Sequence, residues 1–380
     1  MSPPLISKAA ARYTGAGGKE HCSLCRHFSP RRGGRCARVL GDISPMGWCR
    51  LFSREMRGLV ADASSFNGGG GPALGLDFMV PGVLDPRLVF TRASTGTYFN
   101  SAGVMQTAAV NTPRWDYDPA TLQLRGLLLE EARTNVLLNS ATLSTQSVAV
   151  TAQAYRLSFY GTGTITKSGA ATGALAGTGV GQRVSQTFTP AAGSLTLTVA
   201  GTVSNAQLEA GGFATSYIPT TSVAVTRAAD SCTIPIGSWF NPSAFSLAIE
   251  HYWTNVTTTP LIGVSDNAFA ENTCYLSELY MNKIGTGQGL AVSNMNNTIG
   301  AVNKQCGTFS TTQLKSVTNG NLSGVVPWNA TMVAPSGALR LAIGEAPWGP
   351  GSGAFNGHAR VARVWPRVLT DAEMQTVTTL

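Results

Sequence analysis

The chain has little charge. Only 12% of its 380 residues are Asp, Glu, Lys or Arg, about half the share of an average soluble domain. Helical bundles and doubly wound enzymes carry many more such residues on their exposed helix faces, so neither architecture is expected. Histidine is scarce too. His21, His27, His251 and His358 make up the full set, and no Ser–His–Asp arrangement can be built around them. The glycine-rich stretches at 15–18 and 68–71 lack the strand–turn–helix setting of a phosphate loop. No apolar run reaches the roughly 18 residues of a membrane span; the longest candidate, GLLLEEARTNVLL, is broken by Glu130, Glu131 and Arg133. The opening MSPPLISKAAARY has no signal-like apolar stretch, so synthesis in a reducing compartment is expected. Neither an enzyme nor a nucleic-acid binder is expected.

What is present points to β-structure. Forty-three glycines punctuate long Thr/Ser/Ala/Val stretches, a composition suited to short strands and polar turns. The net charge of +8 is concentrated at one end: residues 1–60 hold 11 Lys or Arg against three acids, and the remainder is balanced. Such a basic head can face an acidic partner, or it can offset an anionic metal centre in a small domain. The second reading is preferred.

The cysteines divide the chain in the same way. Cys232, Cys274 and Cys306 are scattered through strand-like segments and read as buried apolar side chains. Cys22, Cys25, Cys36 and Cys49 fall within one short stretch, HCSLCRHFSPRRGGRCARVLGDISPMGWCRLF. A CxxC pair can turn two thiolates towards one centre. A head with so few apolar residues also gains folding energy from a bound metal. Four thiolates suit zinc or an iron–sulfur cluster. The run from Cys36 through Ile43 and Gly47-Trp48-Cys49 to Phe52, with Cys22-x-x-Cys25 upstream, resembles the signature of high-potential iron–sulfur proteins. That resemblance implies a [4Fe–4S] cluster on the four cysteines, sheltered by aromatics such as Phe28, Trp48 and Phe52. Zinc is the alternative. His21 and His27 are then superfluous as ligands.

The rest is read in segments: a four-cysteine head at 1–58, a Gly-rich linker at 59–75, a connecting segment at 76–140, and sandwiches at 141–230 and 231–380. In 76–140, strands are expected at 87–92 and 97–99, with a hairpin turn at Asn100–Gly103. Asp116, Asp118, Glu130 and Glu131 form no catalytic pair recognisable from sequence, and acids beside Pro119 read as turn formers. The block Phe90-Thr91-Arg92-Ala93-Ser94, Asn111-x-Pro113-Arg114, Tyr117-Asp118-Pro119 and Gly126-Leu127-Leu128 through Arg133-Thr134-Asn135 is similar to a segment recurring in tailed-bacteriophage and prophage tail and fibre proteins. There it leads into carbohydrate-binding-like sandwiches.

Short alternating runs such as YRLSFYG, QRVSQTFTP and GSLTLTVAG fit an antiparallel sandwich with one buried face. The stretch ending in VTRAAD resembles the exit of carbohydrate-binding jelly-roll modules. Glu209 reads as a structural carboxylate, with structural calcium as the alternative. The C-terminal LRLAIGE…FNGHARVARVW resembles concanavalin-like or laminin-G-like domains. It is followed by a short helix at Leu369–Met374, opened by Thr370 with Glu373 as its capping-box partner. Trp239, Trp365 and His251 read as packing residues and His358 as exposed beside a loop.

The fold class is therefore mainly β: two antiparallel jelly-roll or concanavalin-like sandwiches behind a small domain with four cysteines. The resemblances imply a virion protein (fibre, spike or decoration subunit) bound to other virion proteins and self-associated, with a trimer as the expected form. They also imply possession of lectin-like domains able to meet a host-surface polysaccharide. Sugar contacts are expected at Trp348, Trp328, Asp266 and Asn267, where loop aromatics and amides occur together. The alternatives are a purely structural capsid or tail component, a redox protein built on the cluster, and a glycan hydrolase. For the head, anaerobically purified protein should be brown with about four iron atoms and about four labile sulfides per chain. Colourless protein carrying one zinc would replace the cluster with a zinc site.

Overall fold

In a computed structural model the described residues are 71–252, 254, 259–265, 273–277, 297–322, 325, 339–347, 349 and 355–379. The backbones of 280–285, 288–293 and 326–327, and a short pairing in the head, are described as well. The chain divides into two compact units, Met1–Ser65 with Leu380, and Phe66–Thr379. In the first, Phe28–Ser29 pairs antiparallel with Arg35–Cys36. The side chains of Cys22, Cys25, Cys36 and Cys49 lie outside the described residues.

The second unit is mainly antiparallel β, as its composition implies. A nine-stranded sheet runs Asn321–Leu322, Gln313–Thr318, Val302–Ser310, Ala244–Tyr252, Gly357–Trp365, Leu124–Leu129 and Trp115–Tyr117, with Leu74–Asp77 and Val326–Pro327 attached off this path. A seven-stranded sheet runs Gln288–Ser293, Tyr280–Gly285, Thr273–Ser277, Pro260–Ser265, Arg340–Ile343, Ser231–Pro235 and Val89–Thr91. Residues 74–129 thus supply strands to both sheets. Leu76, Leu129, Leu247 and Ile249 from the first sheet meet Ile234, Ile262, Val264 and Leu341 from the second in one core. Each such side chain, fully removed from water, contributes about 1.5–3 kcal/mol.

The Gly357–Trp365 strand ties this sandwich together. One edge takes Ala244–Tyr252, and the other is shared by Leu124–Leu129 and Leu74–Asp77. Both of its faces are buried, and Trp365 is a core residue as expected. The closing helix, Asp371–Thr379, starts where its capping box predicts and runs further. The Thr370 N–H donates to Glu373 Oε2 at 2.8 Å, and the Glu373 N–H donates back to Thr370 Oγ1 at 3.3 Å. The hairpin expected at Asn100–Gly103 joins Gly96–Phe99 to Met105–Ala108. Cys232, Cys274 and Cys306 are buried and form no disulfide with one another. Among the described residues no helix is long and apolar enough to cross a membrane.

A smaller sandwich interrupts the large one. The chain leaves through Arg133–Asn135 and returns through Val225–Arg227, two strands paired with each other. Between them lie a four-stranded sheet (Gln146–Val150, Gly193–Ala200, Thr164–Gly169, Gly173–Ala176) and a three-stranded one (Gly179–Phe188, Tyr155–Gly161, Ser204–Ala210). Leu157, Phe159, Ile165, Leu195, Leu197 and Leu208 fill the space inside.

At this neck the sequence buries charge. Asp230 accepts from Arg92 at 3.1 Å through one oxygen and from Arg114 at 2.6 Å through the other, and it also takes the Glu130 N–H at 2.9 Å. Glu130 lies 2.8 Å from Arg114 and 3.3 Å from Arg227, and it accepts from the N–H and hydroxyl of Ser216 at 2.6 Å each. All five charged side chains are almost fully buried. Burial by itself would raise the Glu130 carboxyl, but Arg227 and Arg114, with the Ser216 donors, hold it down to about 2.

Two outcomes follow from the neck. Asp230→Ala leaves Arg92 and Arg114 buried without their carboxylate and should cost about 3–5 kcal/mol in urea unfolding. Glu130 has a depressed native pKa, so its contribution is complete above its ordinary value of 4.5 and is lost as pH falls towards 2. Urea midpoints measured across that window should decline, and they should decline less steeply in Glu130→Gln.

Candidate functional site

Where the two sandwiches meet, the described residues enclose a cleft of about 300 Å³. The large sandwich contributes the Gly96–Phe99 and Trp115–Tyr117 strands and the start of Gly357–Trp365. The small one contributes Tyr160 and Arg183, from neighbouring strands of its three-stranded sheet, and the 214–217 loop.

The local sequence explains the polar floor. Gly126 has φ +129°, and a Cβ there would run into the Ala359 carbonyl, so this position lets Leu124–Leu129 lie close to Gly357–Trp365. Across that strand, Asp116 is registered with Gly126 and His358 with Leu128. The two side chains meet diagonally, His358 Nε2 to Asp116 Oδ2 at 2.9 Å. The other Asp116 oxygen accepts the Phe99 N–H at 2.7 Å. His358 Nδ1 has no hydrogen-bond partner among the described residues, and the ring meets Tyr252 edge to face.

The walls are similarly built. Arg125 bonds Asp118 at 2.7 Å and lies over the Tyr252 ring. Arg183 donates to the Thr215 carbonyl (2.5 Å) and to Ser158 Oγ (2.8 Å). Tyr160 is nearly buried, and burial raises its hydroxyl. Behind the 214–217 loop, Glu209 is the structural carboxylate expected: it takes Gln207 at 2.7 Å, the Thr215 N–H at 2.9 Å and the Thr215 hydroxyl at 2.7 Å.

Chemically, this cleft is equipped to hold a ligand. Aromatic surfaces from Tyr98, Phe99 and Tyr160 stand beside amide, carboxylate, guanidinium and imidazole groups. The carboxylates are occupied. Glu130 is held ionised by two arginines, and Asp116 is engaged by a backbone N–H and His358. Asp118 bonds the Ala120 and Thr121 N–H groups in a turn. Burial would raise its carboxyl, but these donors and Arg125 bring it below the usual range. General acid catalysis of glycoside cleavage needs a carboxyl tuned upwards, which is the opposite of what surrounds Glu130 and Asp118.

Several expectations change here. His358, expected at an exposed position, is buried in a strand, because its flanking residues pair on both edges. Asp118 is the turn former expected. Asp116 and Glu130 instead bind the core of the molecule together. His251 is buried and structural as expected, and burial lowers its pKa to about 3. Trp348, Trp328, Asp266 and Asn267 lie outside the described residues. Sequence reasoning passed over Tyr160, Arg183, Arg125 and Asn356. A usable signal existed for the floor: Glu130 closes the apolar run Leu127–Leu129, a costly place for an acid without a partner. Among the described residues no group of three or more His, Cys, Asp or Glu side chains converges as a metal site.

No protein-family model matches the chain. Over 48 residues, 12% of the chain, it is 44% identical to an iron oxidase of Acidithiobacillus ferrooxidans, and it spans about half the length of that relative (51%). Among solved structures, it is similar to the CBM40 module of the Ruminococcus gnavus IT-sialidase bound to α2,3-sialyllactose (TM-score 0.32, 17% identity, 37% of this chain and 84% of that one). It is also similar to domain 4 of AbnA, a GH43 extracellular arabinanase of Geobacillus stearothermophilus in complex with arabinotriose (TM-score 0.34, 13% identity, 44% of this chain and 83% of that one). These structural likenesses concern the fold alone.

Proposed function

We propose that this chain is a non-enzymatic glycan-binding component of a tailed-phage or prophage particle, with the cleft between its sandwiches as a sugar site. The observation that carries the sugar reading is the cleft itself: aromatic surfaces suited to the apolar face of a pyranose stand beside fixed hydrogen-bonding groups suited to its hydroxyls. The downward tuning of Glu130 and Asp118 favours binding over cleavage. The phage reading rests on the block from Phe90 to Asn135. In the same reading, Cys22, Cys25, Cys36 and Cys49 hold a [4Fe–4S] cluster or zinc. The head docks on neighbouring virion proteins, and the loops bearing Trp328, Trp348, Asp266 and Asn267 are a further place for glycan contact.

A glycan array followed by calorimetry tests this. Tyr160→Ala and Arg125→Ala should each weaken the bound glycan by about tenfold, equivalent to roughly 1.4 kcal/mol; Tyr160→Ala, which truncates a nearly buried ring, should also lower the unfolding midpoint, whereas Arg125→Ala should leave it near that of the parent. Loss with Trp348→Ala and none with Tyr160→Ala would move the site to the loops. Binding to no host-surface polysaccharide would leave a purely structural particle component. Release of reducing sugar would overturn the non-enzymatic reading.

A further inference from the structure

The charges around the cleft do not cancel. In the neck behind it, Arg92, Arg114 and Arg227 face only Asp230 and Glu130, so the guanidiniums exceed the carboxylates by one. On the cleft wall, Arg125 is matched by Asp118 at 2.7 Å. On the floor, Asp116 has both oxygens engaged, one by the Phe99 N–H and one by His358. Arg183 also lines the cleft. Its hydrogen-bond partners among the described residues are neutral, the Thr215 carbonyl and Ser158 Oγ, and no carboxylate pairs with it there.

Strand register explains how this arginine is held. Arg183 is registered with Tyr160, and Ser185 with Ser158, so the four share one face of the three-stranded sheet. Arg183 itself is half-buried, while Ser158 beneath it is fully buried. A guanidinium carries five N–H donors, and the bonds to Thr215 and Ser158 use two of them. Nε finds no hydrogen-bond partner among the described residues. The neighbouring Arg156 donates to the hydroxyls of Thr187 and Ser185, and Glu209, registered opposite it, offsets its charge. Burial first, and then the charge of Arg183, hold the Arg156 guanidinium below its ordinary range. The positive charge of Arg183 therefore acts on its surroundings without an acid to absorb it.

We propose that the cleft takes an acidic sugar, a ring bearing a carboxylate, with Arg183 as the group that holds the carboxylate. This rests on the cleft being a sugar site and names the class of sugar. A guanidinium fork matches a carboxylate with two parallel hydrogen bonds, and Arg183 has unused donors to make them. A cleft with low-dielectric walls concentrates the field of an unbalanced charge, so the excess of arginine over acid draws an anion and repels an amino sugar. The bonds to Thr215 and Ser158 fix the side chain before any ligand arrives, which reduces the entropy lost on binding. Tyr160, its cross-strand neighbour, lines the cleft beside that charge and offers an aromatic surface to the ring. The volume of about 300 Å³ lies at the small end of ligand sites, which suits one acidic ring rather than a long run of chain.

The test is calorimetry on the full chain with two matched pairs of probes, glucose against glucuronate and galactose against galacturonate. Within a pair only the group at C6 differs, a hydroxymethyl or a carboxylate. At low salt at least one uronate should bind about tenfold or more tightly than its neutral partner, and the ratio should narrow as salt is raised. In Arg183→Gln the ratio should fall to about one. If that variant fails to fold, the salt series on the parent chain decides the matter by itself. Neutral sugars bound as tightly as the uronates would overturn the proposal and leave the cleft a sugar site. A preference for the uronates that persists in folded Arg183→Gln, or that ignores salt, would overturn the role given to Arg183. Binding of none of the four, with a neutral polysaccharide bound on the glycan array, would overturn this inference alone. Silence on the array as well would remove the sugar reading of the cleft.

Discussion

Two carboxylates and three guanidiniums, sealed from water at the neck, join the parts of this molecule. Arg92 comes from the start of the large sandwich, Arg114 and Glu130 from the strands that precede the insertion, and Arg227 and Asp230 from the chain returning from it. Apolar side chains of the same volume could be at least as stabilising, since ions lose their hydration on burial. Charge does something different here. A guanidinium fork and a carboxylate accept few relative positions, so the five groups fix how the insertion leaves its host.

The cleft inherits that fixed geometry. Glu130 belongs to both: its oxygens hold Arg114 and Arg227, and through Ser216 they anchor the 214–217 loop that forms one wall. Arg183 reaches the same loop at the Thr215 carbonyl. The opposite wall is set by Asp116, which connects the Phe99 backbone to His358. The positions of the polar groups are therefore decided by pairings already made within the protein.

The features legible in the sequence were local ones. The Thr370–Glu373 capping box, the turn after Phe99, the burial of Trp365 and the alternating strands all depend on neighbours a few residues apart. The membership of 74–129 in the large sheets depends on pairings such as Leu128 with His358, and no periodicity carries them. The same distance hid the cleft. Arg92 and Arg114 stood out within a block of resemblance, but their shared partner Asp230 lies more than a hundred residues away. His358 looked exposed because Gly and Pro surround the approach to its strand, whereas pairing on both edges buries it. Tyr160 and Arg183 read as ordinary members of alternating strands, and they matter because that outer face lies against a second sandwich.

The order in which the chain is made gives the insertion another significance. Synthesis proceeds from the N-terminus, and domains fold as their sequence becomes available. The small sandwich is complete once Val225–Arg227 can close against Arg133–Asn135. Its host is not, because Leu74–Asp77 and Leu124–Leu129 wait for a strand that begins only at Gly357. Until then their edges are unpaired, and such edges invite association with other chains. A nascent molecule thus carries a finished module inside an unfinished one for well over a hundred residues of elongation. The two ends of the module, already held side by side, shorten the loop that the last strand has to close.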